Sequence, residues 1–245
     1  MLIYGVHPVL EALRAGTVRR IRVADRTNER ARAVLDLAAR EGVRVEFVHA
    51  DAIERLAPGA THQGVVADAE DRASYEIADL VRGAVATPLI VVLDGIEDPH
   101  NMGAILRTAD AAGVDGVVVQ SRRAASRGGA AAKASAGAVA HVRMAEVVNI
   151  ARAIDELKEL GVWSVGLAGE AETAYDRMDL TGPTAIVMGA EGQGLRRLVR
   201  EKCDFLVSIP MAGHVGSLNV SVAAGIAMFE AVRQRRVAAA GRPRP

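Results

Sequence analysis

The stretch LIVVLDGIEDPHNMGAILRTADAAGVDGVVV, residues 89–119, decides the fold. Leu89–Leu93 is a continuous apolar run closed by Asp94-Gly95, the pattern of a strand buried on both faces. Asn101–Ala112 has helical spacing, Gly113 and Gly116 interrupt it, and Val117–Val119 resumes as a second strand. Two apolar strands joined through a helix lie parallel in one sheet. The alternation continues downstream, with apolar runs at Val162–Leu167, Ala185–Met188 and Phe205–Ile209 and helical stretches at Glu146–Leu160, Gly194–Glu201 and Ser217–Arg236. This pattern predicts an α/β fold with a mostly parallel sheet covered on both faces.

Upstream, residues 1–69 read as a smaller α/β unit. Leu2 to Gly16 holds a helical stripe of Val6, Val9, Leu10 and Leu13. A strand over Arg20–Ala24 precedes a helix from Thr27 to Arg40, with Thr27 or Asn28 as its cap and Gly42 beyond its end. Val43–Val48 and Gly64–Ala69 read as strands, the latter after a Pro-Gly turn at 58–59. The polar segment that follows, ending in Thr87-Pro88, reads as a linker with room for one short helix. The expected division is a domain over 1–70, a linker over 71–87 and a larger domain over 88–245.

Composition narrows the function. Of 245 residues, 50% are hydrophobic and 24% charged, which excludes wholesale disorder. A single cysteine, Cys203, excludes a disulfide framework and a multi-cysteine zinc site. No apolar run approaches the ~20 residues that span a bilayer, and the N-terminus lacks a basic start before a long apolar core. The expectation is a soluble cytoplasmic protein. Thirty Lys and Arg balance thirty Asp and Glu, yet Arg122, Arg123, Arg127, Lys133 and Arg143 fall in a stretch from Asp115 to Glu146 with no acid between those ends. Such a run is either a solvated face or a phosphate-contacting patch. Aromatic residues make up only 3%, which disfavours an RNA platform built on base stacking.

In open parallel sheets ligands bind beyond the carboxyl ends of the strands. Four turns in that position are rich in glycine and polar residues: Asp94–Gly103, Ala168–Glu170, Gly189–Gly194 and Pro210–Asn219. The late order G-x-x-G-x-G does not fit a dinucleotide fingerprint, and no Gly-Lys-Ser/Thr of a P-loop occurs. Ser217 does not sit in G-x-S-x-G. His100, His214 and Asp98 lack compact metal-ligand spacing, so no metal is expected. Cys203 reads as structural.

Three motifs carry a resemblance. N-x-G-x-x-x-R-T-A (Asn101 to Ala109), M-G-A-E-G-Q-G-L (Met188 to Leu195) and I-P-M-A-G-H-V-G-S-L-N-V-S-V-A-A-G-I (Ile209 to Ile226) resemble, in order and spacing, those of the SpoU or TrmH-like RNA 2′-O-ribose methyltransferases. Y-G-V-H-P-V-L-E-A-L (Tyr4 to Leu13) and His62-Gln63-Gly64 are similar to the ribosomal-protein-like substrate domain of the branch that methylates a guanosine ribose in 23S ribosomal RNA. The likeness runs from Tyr4 to Arg236. Gly216 stands where a serine is common in the family.

The resemblance implies a C-terminal domain whose chain is threaded as a trefoil knot over residues 184–226. It also implies S-adenosylmethionine as methyl donor and a homodimer built with the final helix. Gly189, Ile209, Leu218, Ala168, Gly169 and Met211 match positions that border the donor. Arg107 is the first choice for chemistry. Because a guanidinium pKa exceeds about 12, the expected role is binding phosphate and orienting the ribose hydroxyl rather than acting as a free base. Glu191 is expected to position Arg107 or substrate, Asn101 to fix its loop or the ribose, and Ser217 and Asn219 to offer polar groups at the start of the last helix. Phosphate contacts are expected from Arg122, Arg123, Arg127, Arg196 and Arg197. Other readings are a transfer-RNA or antibiotic-resistance ribosomal-RNA methyltransferase, and a catalytically silent RNA-binding assembly factor.

Overall fold

The structure, a computed structural model, describes residues 2–25, 29–69, 75–121 and 142–241. The described residues up to Ala69 form one compact unit and those from Tyr75 onward another.

The first unit runs β1 (Leu2–Tyr4), α1 (Val6–Arg14), β2 (Val18–Ala24), α2 (Glu29–Arg40), β3 (Arg44–Val48), α3 (Ala50–Leu56) and β4 (Val65–Ala69). Its sheet has the order β1-β4-β2-β3, with β2 and β3 parallel and the other pairs antiparallel. Ile21, Val23, Val65 and Ala67 pack with Val9, Leu13, Val34 and Ala38 on one face, while Ile53 and Ala57 of α3 pack with Ala24 and Val66. One expectation changes here, and one helix is added. Leu2–Tyr4 belongs to no helix: it pairs with Val66–Asp68, and the chain turns at Gly5, whose N–H bonds the Val65 carbonyl. Helix α3 went unread because Ile53 is its one buried side chain, too few to make a stripe.

The second unit runs α4 (Ile77–Arg82), β5 (Leu89–Asp94), α5 (Pro99–Ala112), β6 (Gly116–Gln120), β7 (Met144–Val147), α6 (Ile150–Glu159), β8 (Trp163–Leu167), a 3-10 turn (Tyr175–Arg177), β9 (Thr184–Gly189), α7 (Arg197–Lys202), β10 (Phe205–Val207) and α8 (Val220–Ala240). Its six strands are all parallel, in the order β10-β8-β9-β5-β6-β7. Every residue of β5 and β9 is buried, as a strand covered on both faces requires. Ile90, Val92, Val118, Ala185 and Val187 pack with Ile77, Leu80, Ile154, Leu157 and Val199 from α4, α6 and α7. Helices α5 and α8 pack against each other, and α8 also against β9, burying Ile105, Leu106, Ala224 and Met228.

Residues expected to link the domains are part of this core. Ile77 and Leu80 of α4 are buried, Leu80 lies where a side chain on Gly116 would stand (2.7 Å), and Arg143 Nη1 donates to the Gly83 carbonyl. The expected helix from Glu146 also starts late. Met144–Val147 is an edge strand beside β6, and the helix begins at Ile150 because Asn149 caps it, its side chain accepting from the Arg152 N–H.

Candidate functional site

Parallel strands deliver all their carboxyl ends to one edge. Asp94 and Gly189, the last residues of β5 and β9, are register partners, as are Leu167 and Val207 at the ends of β8 and β10. The four glycine-rich turns leave from that edge.

Helix α5 opens with Asp98 as N-cap, its carboxylate accepting from the His100 N–H, and with Pro99 at the first helical position. That start brings Asn101 into the first turn, where it is buried. Asn101 Nδ2 donates to Glu191 Oε2 (3.1 Å), and Asn219 Nδ2 donates to Asn101 Oδ1 (2.9 Å). Asn219 Oδ1 in turn accepts from the N–H and hydroxyl of Ser221. The chain of bonds has one direction. A carboxylate that can only accept ends it, and a backbone N–H that can only donate begins it, so neither amide can be turned over without setting like groups face to face. Residues 90 and 118 positions after Asn101 in the sequence thereby tie three turns together.

The 190–195 turn is closed tightly. Ala190 and Gly194 exchange backbone hydrogen bonds of 3.1 and 2.8 Å. A Cβ on Gly189 would stand 2.1–2.3 Å from the backbone of Gly194 and Leu195, so only glycine permits this approach. Beyond the turn, Arg196 returns to β5. Its N–H donates to Asp94 Oδ2 (2.9 Å) and its Nε to Asp94 Oδ1 (2.6 Å), with Nη2 completing the ion pair. On the other side, Ala168 N–H bonds the Val207 carbonyl, and Ser208 bonds Thr173 and Tyr175 through the main chain, joining the turns after β8 and β10.

The site residues read from sequence therefore fall as follows. Asn101, Glu191 and Asn219 are joined directly. Gly189, Ala168, Gly169, Ile209, Met211 and Leu218 lie on the turns at the same edge, with Ile209, Met211 and Leu218 half-buried. Arg107 is exposed on α5 and, among the described residues, has neither hydrogen bond nor ion pair. Glu191 is not its partner; the bond of Glu191 is to Asn101. Ser217 is exposed and caps nothing, since Asn219 is the N-cap of α8. Arg196 is held by Asp94 through Nε and Nη2, with 48% of its side chain exposed. Arg197 is exposed and paired with Glu201 one helical turn on. Arg122, Arg123 and Arg127 lie outside the described residues. Sequence reading missed Asp94, although an acid closing a wholly apolar run was its signal.

Among the described residues no group of His, Cys, Asp and Glu is placed to hold a metal. Burial pushes the Cys203 thiol up to about 12, and its Sγ lies against the Val199 carbonyl, so it carries no thiolate at neutral pH.

A model of the SpoU rRNA methylase family matches residues 88–229, and one for RNA 2′-O ribose methyltransferase substrate binding matches residues 2–74. The chain is 44% identical over 242 residues to the 23S rRNA (guanosine-2′-O-)-methyltransferase RlmB of Photobacterium profundum, covering 96% of this chain and 98% of that one. It is 45% identical over 241 residues to RlmB of Pseudomonas putida, covering 96% and 97%. Among solved structures, the SpoU methyltransferase AviRb from Streptomyces viridochromogenes, in complex with the cofactor AdoMet, superposes with a TM-score of 0.79 at 30% identity, covering 96% of this chain and 90% of that one.

Proposed function

Because the chain belongs to the SpoU rRNA methylase family, we propose that it transfers a methyl group from S-adenosylmethionine to the ribose 2′-hydroxyl of a guanosine in 23S ribosomal RNA. The observation that carries this reading is the Glu191–Asn101–Asn219 chain, which joins all three motif turns at the carboxyl edge of the parallel sheet.

The residues at this edge suit the donor. An added Cβ at Gly169, Gly213 or Gly216 meets nothing within 4 Å, so these turns present bare backbone to open space. Gly189, Ile209, Leu218, Ala168, Gly169 and Met211 would hold the donor. Bound there, S-adenosylmethionine supplies an electrophilic methyl group on a sulfonium. The protein's task is then to bring one sugar oxygen in line and relieve it of its proton. Arg107, free of partners among the described residues, binds a phosphate of the RNA and orients the hydroxyl. Asn101 and Glu191 keep the first two motif turns at fixed separation, Asn219 carries the third, and Ser217 offers a hydroxyl beside it.

Phosphate contacts come from Arg122, Arg123, Arg127 and Arg197, and residues 2–74 position the RNA. The domain of residues 88–245 performs the chemistry and is extended at its start by α4. Its chain between 184 and 226 passes through a trefoil knot; the insertion of β9 between β8 and β5 and the return of Asn219 to Asn101 support that path. The enzyme works as a homodimer through α8. No helix among the described residues is long and apolar enough to cross a membrane, and its ribosomal RNA substrate puts it in the cytoplasm. Mapping 2′-O-methyl sites on 23S RNA from cells with and without the gene tests the reading. One guanosine losing its mark is expected; an unchanged map overturns it.

A further inference from the structure

Asp94 is the one ionisable residue among the described residues with no exposed surface. A carboxylate so placed costs heavily unless donors surround it. Among the described residues the donors all come from Arg196: its own N–H, its Nε and its Nη2. The two residues are 102 apart in sequence, and what lies just before Arg196 is the turn that carries Glu191. That turn is pinned at both ends to one residue. It leaves from Gly189, the register partner of Asp94, and it ends at Arg196, bonded to Asp94. Between those points Gly189 lies under the backbone of Gly194 and Leu195, so a shift of Arg196 must carry the turn with it. Glu191 on the turn receives the Asn101 amide, so its place also sets that of Asn101.

We infer that the Asp94–Arg196 pair is a positioning device for the methyl-donor turn, fixing the main chain at Gly189–Leu195 for the donor. The inference rests on the methyl-transfer reading above. It concerns affinity for the donor, not affinity for RNA.

The test uses the full-length protein and three readouts: calorimetric affinity for S-adenosylmethionine and for its demethylated product, affinity for a 23S RNA fragment, and the thermal midpoint. Asp94→Asn sets a donating amide against the guanidinium, and Arg196→Gln leaves a buried carboxylate with one backbone donor. Each is expected to weaken donor binding by about tenfold or more, since small displacements of positioning groups carry large effects. RNA affinity should stay within about twofold. The double variant, in which two amides meet, should bind donor better than the product of the two single losses allows, because the residues act as a unit. Arg196→Lys, which keeps the charge but not the fork, should fall between wild type and Arg196→Gln, and it decides the matter if Asp94→Asn does not fold. Arg235→Ala, which removes a half-buried staple at the opposite ends of the strands, is the control: a lowered midpoint with donor affinity unchanged.

Variants at Asp94 or Arg196 that lose stability while binding donor as wild type does would make the pair merely structural and overturn the inference. Loss of RNA affinity with donor affinity intact would assign Arg196 to phosphate contact and overturn it equally. A wild-type protein that binds neither donor nor product sinks the methyl-transfer reading itself, and that result is distinct from both.

Discussion

At the scale of the residue, the site divides into groups that are tied down and one that is not. Asn101, Glu191 and Asn219 are linked in a chain of hydrogen bonds that Ser221 begins, whereas among the described residues Arg107 spends none of its five N–H donors. An exposed guanidinium without a partner among the described residues, six residues beyond Asn101 on the same helix, is suited to RNA phosphate. Arg107→Ala should therefore lower kcat by about 10²-fold or more while donor affinity by calorimetry stays as in wild type. Near-normal turnover would remove Arg107 from the chemistry. Arg107→Lys should recover little, because a point charge does not reproduce the planar fork. The motif residues were legible in the sequence because glycines, amides and acids at fixed spacing stand out in any strand–turn–helix unit. Their bonding was not. Partners 90 and 118 residues apart meet only through the sheet order, and nothing local in the sequence distinguishes an Asn101–Glu191 bond from the expected Arg107–Glu191 pairing. For the same reason Arg196 read as a free cation when the group that holds it is Asp94.

At the scale of the element, the long apolar runs and helical stripes read correctly, and the errors fall on short pieces. Strands of three and four residues, β1 and β7, contain too few positions to show a period of two, so their residues were absorbed into neighbouring helices. What the sequence hides more deeply is how an element end is held. The last turns of α8 staple the entrances of two strands: Arg235 donates to the carbonyls of Thr87, Pro88, Leu180 and Gly182, and Gln234 bonds Leu180 N–H and the Met178 carbonyl. Burial lowers the Arg235 pKa somewhat, but an arginine stays charged across the whole physiological range. Removing it strands four carbonyls, so Arg235→Ala should cost about 2–3 kcal/mol, read as a lower urea midpoint at unchanged m-value. A cost near zero would show that water replaces the staple. Acid should loosen another element pair. Burial works against the Asp204 charge, but bonds from the Ser164 hydroxyl and N–H and the Lys158 ammonium outweigh it and hold the carboxyl below its ordinary value. A carboxylate whose folded pKa is depressed contributes its stability in full above the unfolded pKa of about 4 and loses it as pH falls toward the folded value. The Glu230 carboxylate, held low by Arg233, acts in the same sense. The urea midpoint should hold steady down to about pH 5 and then fall; in Asp204→Asn it should start lower and fall less steeply.

At the scale of the whole molecule, two properties were open to sequence reading to different degrees. Zero net charge was plain, and it means that RNA attraction must come from where the charges sit rather than from their sum. If arginines meet phosphates, the logarithm of RNA affinity falls linearly with the logarithm of salt, and a flat response would mean that no phosphate is contacted. The proposed dimer contact is harder to read, because the first half of α8, Val220–Phe229, is apolar on nearly every side and its sequence does not say which side would be used twice. In the structure Ala224, Met228 and Ala231 are buried within the chain, while Val222 and Phe229, seven residues apart on the opposite side, are 51% and 47% exposed. A helix that buries one stripe in its own protein and leaves a second apolar stripe in water offers that stripe to the proposed dimer contact. In the proposed homodimer a second copy would meet the same stripe with its own, as a two-fold interface requires. Phe229→Glu places a charge at the centre of that contact, where it must be buried unpaired opposite its symmetry mate. Sedimentation should then give the mass of one chain where the wild type gives two, with the monomer's circular dichroism unchanged. A variant that sediments as the wild type does would place the dimer contact elsewhere on the molecule.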